Sequence, residues 1–216
     1  MKKNYAKIVV VLDRSGSMES VKNATIEGFN KFLQGQKEVE GECDISLYQF
    51  DDKYEAVFED KNIQEAPKLT DKTFVPRGWT ALLDAIGRTI NKLGNDLHAL
   101  REKDRPEKVF FVIQTDGYEN DSKEFTREKI FDMIKHQTEK YSWKFIFLGA
   151  NQDAIATAQS YGIGSNTSLT YSATSIGTDR AYYSMNSVVS GARCAAFDDF
   201  KAYSFSQEDR DLQKNN

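Results

Sequence analysis

The sequence predicts an α/β fold that is doubly wound, with helices on both faces of a mostly parallel central sheet. Three continuous apolar runs rich in Val, Ile and Phe are typical of strands covered on both faces. They occupy residues 8–12, 109–113 and 145–148. Segments with helical periodicity lie between and after these runs, and parallel strands joined by helical crossovers produce this architecture.

Apolar residues recur at helical spacing in several of the intervening segments. The strongest pattern covers residues 82–100, where apolar side chains return every three or four residues over five turns. Weaker patterns predict helices at about residues 17–37, 126–140, 153–161 and 179–189. This alternation of strands and helices shows no domain boundary, and we expect one domain over residues 1–204.

The edges of the sheet are predicted from two shorter patterns. Residues 44–50 and 53–58 flank the polar pair Asp51 and Asp52, which predicts an antiparallel hairpin at one edge. A last edge strand is expected near residues 169–171, within a segment rich in Ser, Thr and Tyr. Residues 205–216 form a polar tail, which we expect to be frayed from Gln207 onward.

The composition excludes several functional classes. The 216 residues carry 29 Lys and Arg against 33 Asp and Glu, a formal charge of −4, and this balance gives no basic surface for nucleic acid. Every apolar run is far shorter than the ~20 residues of a membrane helix, and the first is broken too early for a secretory signal. We therefore expect a cytosolic protein without membrane or nucleic-acid partners. Cys43 and Cys194 lack metal-ligand spacing and are expected to be separate buried thiols.

Oxygen-bearing side chains follow the predicted strands at the sheet edge where α/β proteins bind ligands. Asp13, Ser15 and Ser17 come directly after the first apolar run, and Asp116 follows the run at 109–113. Thr80 stands just ahead of the long helix. Two carboxylates and three hydroxyls are hard donors, which suit Mg²⁺ or Mn²⁺ better than zinc or copper.

Each of these residues also has an ordinary structural interpretation. A serine of the first loop and Thr80 would serve as helix caps, and Asp116 with Gly117 would form a turn. Capping explains one hydroxyl per helix and leaves the second serine and both carboxylates without a shared reason. A metal site explains all five together, and some residues would serve in both ways.

The three segments VVVLDRSGSM, GWTALLDAIG and VIQTDGYEN resemble the loops of the metal ion-dependent adhesion site of von Willebrand factor A domains. The resemblance covers roughly residues 5–160 and points to a stand-alone domain of bacterial or phage type. It implies a sheet with one antiparallel edge strand. It further implies that Ser15, Ser17 and Thr80 bind the metal directly, with Asp13 and Asp116 holding it mainly through water.

The same resemblance implies a binding function. Neutral direct ligands leave the metal most of its charge and an exchangeable position, which a Glu or Asp of a protein partner would fill. Arg14 is expected to point outward, either to pair with that carboxylate or as a solvated surface residue. Trp79 and Tyr118 are expected to form an apolar rim, with core packing as the alternative for Trp79. Such domains often act as adaptors in larger assemblies.

An enzymatic alternative uses the acid after the first strand. Phosphotransferases of the haloacid dehalogenase type carry a nucleophilic Asp, here Asp13, followed two residues later by a second Asp that transfers the proton. Ser15 occupies that second position, so the proton-transfer partner is missing. His98 and His136 fall in predicted helices away from the rim and are expected to be structural or solvated.

Overall fold

A six-stranded sheet forms the centre of the molecule in the computed structural model, which describes residues 1–150 and 153–214. The strand order is β3-β2-β1-β4-β5-β6, and only the β2–β3 pair is antiparallel. The predicted fold class, with its single antiparallel edge strand, is confirmed. The strands are β1 (Lys2–Asp13), β2 (Glu42–Phe50), β3 (Tyr54–Asn62), β4 (Pro106–Thr115), β5 (Lys144–Ala150) and β6 (Ser168–Tyr171).

Helices cover both faces of the sheet. One face packs against α1 and α5, and the other packs against α2, α3 and α4. The short α6 lies beside β6 and α5. The helices are α1 (Lys22–Glu38), α2 (Leu82–Ala99), α3 (Arg127–Tyr141), α4 (Ala154–Ser160), α5 (Ser175–Cys194) and α6 (Gln207–Lys214).

The apolar runs are buried on both sides because alternate side chains enter different cores. In β1, Ile8, Val10 and Leu12 pack toward α1 and α5, whereas Val9 and Val11 pack toward α2. A strand that is apolar at every position is therefore needed at the centre of this sheet. None of the helices in the described residues is long and apolar enough to span a membrane.

Two local predictions require correction. A 3₁₀ helix (Gly16–Val21) precedes α1, so the α-helix begins five residues later than the pattern suggested. The predicted frayed tail is wrong for Gln207–Lys214, which form α6. Arg210 fixes this helix by donating from Nη1 to the carbonyl of Ser168 at 3.0 Å and from Nη2 to that of Ser165 at 2.8 Å. Residues 215 and 216 of that tail lie outside the described residues.

The two cysteines are separate thiols, but their environments differ. Cys43 is buried in β2, and burial raises its pKa to about 12. Cys194 is exposed at the end of α5, so the expectation that both are buried is wrong for this residue.

Two helix glycines provide a test of how closely α1 and α5 pack. A Cβ at Gly28 of α1 would lie 2.8 Å from Cγ of Tyr182 on α5, whereas one at Gly94 of α2 would meet only Nε2 of Gln137 at 4.0 Å. We expect Gly28→Ala to lower the free energy of unfolding by about 1–3 kcal/mol through overpacking. Gly94→Ala should raise it by about 0.5–1 kcal/mol, because alanine favours the helix. Urea unfolding followed by circular dichroism measures both, and equal effects of the two substitutions would contradict the packing.

Candidate metal centre

Asp13 joins the loop after β1 to the end of β4. Its side chain is fully buried; Oδ1 accepts a hydrogen bond from the Ser15 amide at 2.6 Å, and Oδ2 accepts one from the Thr115 hydroxyl at 2.6 Å. Burial raises the pKa of Asp13 to about 7, and these hydrogen bonds act in the opposite direction. A nearby cation would favour its charged form.

The predicted hydroxyl groups converge beside the second carboxylate. Ser17 Oγ lies 3.1 Å from Ser15 Oγ and donates to Asp116 Oδ1 at 2.6 Å. A Cβ built on Gly117 would lie 3.3 Å from Thr80 Oγ1 and 3.7 Å from Ser17 Oγ. The structure therefore brings together the side chains of all five predicted residues, and the absence of a side chain at Gly117 leaves space next to two of the hydroxyls.

Helix capping does not account for the hydroxyls. Ser15 is the N-cap residue of the 3₁₀ helix, but its hydroxyl makes no capping hydrogen bond. The N-cap residue of α2 is Ala81 rather than Thr80, and it makes no side-chain cap either. Ser17 lies inside the 3₁₀ helix and directs its hydroxyl to Asp116. The donor set is all oxygen, and no group of three or more His, Cys, Asp or Glu in the described part of the chain is placed to hold a metal.

The prediction that Arg14 points outward is wrong. Arg14 is buried, and its Nε donates to Asp51 Oδ2 at 2.9 Å while Nη1 donates to Glu55 Oε2 at 2.7 Å. The physical reason is the Asp51 carboxylate, which is fully buried in the β2–β3 turn and needs a cation. Arg14 is therefore committed to the interior of the protein and cannot meet a partner.

Arg77 binds the same pair of acids from the segment ahead of α2. Its Nε donates to Asp51 Oδ2 at 2.8 Å, and its Nη2 donates to Glu55 Oε1 at 3.0 Å. Asp51 and Glu55, here called the acidic clamp, thus connect the loop that carries Ser15 to the loop that carries Thr80. The hydrogen bond from Arg14 is the largest cause that holds the pKa of Glu55 below its usual value, and the positive charges of Arg14 and Arg77 act in the same direction.

Backbone hydrogen bonds reinforce this connection. Gly16 N donates to Gly78 O at 3.2 Å, Arg77 N to Arg14 O at 2.8 Å, and Ala81 N to Asp51 O at 3.0 Å. Gly78 has φ of +68°, and a Cβ there would lie 3.2 Å from Cγ of Asp52. The tight approach of these loops accordingly requires glycine at this position.

The loop after β4 caps the start of α2. The Asp84 carboxylate accepts hydrogen bonds from the amides of residues 123, 124 and 125 at 2.9–3.0 Å. In return, the Thr80 amide donates to Asn120 Oδ1 at 2.8 Å and the Leu83 amide donates to Glu119 Oε2 at 2.9 Å. Sequence reasoning did not single out these residues, although Asp84 stands out as a carboxylate in the first turn of an otherwise apolar helix start.

Large aromatic side chains flank the site on the surface. Trp79 is 67% exposed and Tyr118 is 66% exposed, so core packing of Trp79 is excluded.

The second carboxylate of the site is affected by burial in the same way as Asp13. Burial raises the pKa of Asp116, and the hydrogen bond from Ser17 opposes this shift.

The two histidines lie away from the site. His98 and His136 line a cleft with Met1 and Pro106 at the opposite end of the sheet, in agreement with the prediction that they are remote from the rim.

Several solved structures are similar to this chain in fold but share little sequence with it. No protein-family model matches the chain, and no curated protein sequence matches it. Similar solved structures include the pilus adhesin SpaC of Lactobacillus rhamnosus GG, with 13% identity, a TM-score of 0.63, and coverage of 88% of this chain and 31% of that one. The von Willebrand factor domain of a type V pilus tip protein from Porphyromonas gingivalis has 11% identity, a TM-score of 0.60, and coverage of 88% and 97%.

A third similar structure is proximal thread matrix protein 1 from the mussel byssus, with 16% identity and a TM-score of 0.60. The match covers 88% of this chain and 46% of the mussel chain, so the present sequence spans about half the length of that protein. The chain thus has the von Willebrand factor A fold, as the sequence resemblance implied.

Substitution within the acidic clamp tests its structural weight. Asp51→Asn keeps the side-chain shape but leaves the buried Arg14 with only the half-exposed Glu55 as a paired charge, and we expect a loss of about 3 kcal/mol in the free energy of unfolding. Glu55→Gln, at a half-exposed position, should cost less than about 1 kcal/mol. Chemical unfolding of both variants measures the difference. Equal, small losses in the free energy of unfolding would show that the acidic clamp does not stabilise the fold.

Proposed function

We propose that this protein is a divalent-metal-dependent protein-binding module. The observation that carries the proposal is the convergence of Ser15, Ser17 and Thr80 hydroxyls with Asp116 at the carboxyl edge of the sheet. Mg²⁺ or Mn²⁺ is the proposed cofactor, with the three hydroxyls as direct ligands and with Asp13 and Asp116 acting mainly through water.

The residues present fit a hard cation. All the donors are oxygens, which Mg²⁺ prefers, and Gly117 leaves space between the Thr80 and Ser17 hydroxyls. The mussel matrix protein, whose fold is similar with a TM-score of 0.58, has been solved with a zinc-occupied metal ion-dependent adhesion site. This neighbour supports a divalent cation as a ligand of this fold.

The proposed partner is a protein that offers a Glu or Asp side chain. When bound, the cation would supply a positive, exchangeable position to that carboxylate. Trp79 and Tyr118 would supply exposed aromatic surface on either side, since aromatic residues are enriched at interface centres. Arg14 takes no part in this proposal. That the protein acts as an adaptor in a larger assembly remains a prediction. That it is a cytosolic protein of bacterial or phage type also remains a prediction.

Phosphotransfer is not favoured as the function. Both carboxylate oxygens of Asp13 accept hydrogen bonds, and the side chain has no exposed surface from which to attack a phosphate. A proton-transfer acid is also missing at Ser15. Hydrolysis of p-nitrophenyl phosphate in Mg²⁺ would revive this alternative if Asp13→Asn abolished it.

Thermal melting tests the metal site directly. At a metal concentration about 100 times the Kd, binding stabilises by roughly 2.7 kcal/mol, which raises Tm by several degrees in a chain of this size. We expect this rise with Mg²⁺ or Mn²⁺, its reversal by EDTA, and its loss in Ser17→Ala, because Ser17 contacts both Ser15 and Asp116.

Ser20→Ala is the matched control for that experiment. Ser20 lies on the same 3₁₀ helix and is exposed, but its hydroxyl donates to the Ser17 carbonyl rather than to the cluster. This variant should keep the full rise in Tm. A metal-dependent rise that survives Ser17→Ala and Asp13→Ala would show that the ion binds elsewhere.

An array of short peptides tests the acidic partner. We expect acetylated Gly-Xaa-Glu-Xaa-Gly amides to bind in Mg²⁺, to be released by EDTA, and to lose binding when Glu is replaced by Gln. Trp79→Ala should weaken peptide binding and leave the metal-dependent rise in Tm intact, because Trp79 is exposed and supplies no donor. Equal binding of the Glu and Gln peptides would refute carboxylate recognition.

A further inference from the structure

Thr115, the last residue of β4, lies beside the candidate metal centre but is not one of its proposed ligands. The residue is fully buried, and its Oγ1 donates to Asp13 Oδ2 at 2.6 Å. The Gly117 amide donates to the same Oγ1 at 3.2 Å. The Gly117 carbonyl also lies 3.1 Å from Oγ1, but a hydroxyl has one proton, and the shorter contact with the carboxylate takes it.

These hydrogen bonds join the loop after β1 to the loop after β4. The Ser15 amide donates to the other carboxylate oxygen of Asp13 at 2.6 Å, so continuous hydrogen bonds run from Gly117 through Thr115 and Asp13 to Ser15. Asp116 lies between Thr115 and Gly117 in the chain. Because both loops carry residues of the proposed site, the Thr115 hydroxyl restricts how far these residues can separate.

The hydrogen bond from Ser17 to Asp116 crosses between the same two loops. Its donor and acceptor, however, both belong to the proposed set of metal-binding groups. The hydrogen bonds of Thr115 involve no group that is proposed to bind the ion directly. They can therefore hold the two loops together whether or not the site contains an ion.

The spacing of the loops matters because divalent cations differ in size. Oxygen ligands lie at about 2.0–2.1 Å from Mg²⁺ and about 2.3–2.6 Å from Ca²⁺, so ligands at right angles are about 2.9 Å apart around Mg²⁺ and about 3.3–3.7 Å apart around Ca²⁺. The Ser15 and Ser17 hydroxyl oxygens are 3.1 Å apart. Binding of Ca²⁺ would require them to move further apart, whereas binding of Mg²⁺ would not.

From this arrangement we propose that Thr115 is a positioning residue that sets the preference of the metal site for Mg²⁺ over Ca²⁺. Its hydroxyl acts through Asp13 and Gly117 and keeps the two loops at a spacing that suits the smaller ion. Mg²⁺ demands near-ideal octahedral geometry and Ca²⁺ tolerates irregular coordination, so loss of the hydroxyl weakens Mg²⁺ binding more. This inference rests on the proposed function and adds to it the control of metal selectivity.

Melting curves at increasing MgCl₂ or CaCl₂ concentration give the Kd of each ion for each variant. The native protein should bind Mg²⁺ more tightly than Ca²⁺. Thr115→Val keeps the side-chain shape without the hydroxyl, and it should weaken Mg²⁺ binding about tenfold or more and Ca²⁺ binding about threefold or less. Thr115→Ser retains the hydroxyl and should keep the native ratio of the two Kd values.

Thr89→Val is the matched control. Thr89 is also fully buried, and its hydroxyl donates to the Ala85 carbonyl at 2.7 Å within α2. This variant should lower Tm in EDTA, as Thr115→Val should, but it should keep the native ratio of Kd values. If Thr115→Val shows no melting transition in EDTA, Thr115→Cys takes its place, because a thiol is only a weak hydrogen-bond donor.

The outcomes separate the inference from the proposed function. An unchanged ratio of Kd values in Thr115→Val, with the Mg²⁺-dependent rise in Tm intact, would overturn the inference and leave the proposed function standing. The same conclusion would follow if Thr115→Ser lowered the ratio as much as Thr115→Val, or if the native protein did not prefer Mg²⁺. Absence of a rise in Tm of the native protein with either ion would overturn the proposed function and the inference together.

Discussion

The buried carboxylate of Asp51 is the interaction on which the geometry of the candidate site depends. It lies in the β2–β3 turn without exposed surface, so its charge must be balanced inside the protein. Arg14 and Arg77 balance it, and they belong to the two loops that carry Ser15 and Thr80. An edge hairpin that supplies no donor to the site thereby sets the spacing of the loops that do, and the main-chain bonds between those loops follow from the same approach.

The third loop is fixed by a different interaction, at the start of α2. Asp84 binds the amides of that loop, while Asn120 of the loop binds the Thr80 amide. Thr80 is consequently held from the hairpin on one side and from the loop after β4 on the other. A residue held by hydrogen bonds from both neighbouring segments loses little conformational freedom when its hydroxyl binds an ion, which favours a preorganised site.

The sequence predicted what local pattern determines. Central strands were recognisable because both of their faces are buried, and α2 because its apolar residues repeat at helical spacing. Asp13, Ser15, Ser17 and Asp116 could be found because they follow strands whose carboxyl ends meet at one edge. The direction of Arg14 and the folding of α6 could not, because each depends on a partner distant in sequence: Asp51 in the first case, and the carbonyls of the β6 region in the second.

The charge of the site itself argues for an external cation. Asp13 and Asp116 are both placed where burial disfavours the ionised form and raises their pKa, and within the described residues neither forms a salt bridge. The nearest arginine of the first loop is already bound to Asp51, so it cannot offset them. The partners of the two acids are hydroxyls and a main-chain amide, which satisfy hydrogen bonds but supply no formal charge. Because Arg14 pairs with Asp51 of the hairpin, the negative charges of Asp13 and Asp116 have no positively charged partner among the described residues. A divalent ion bound beside them would offset these charges.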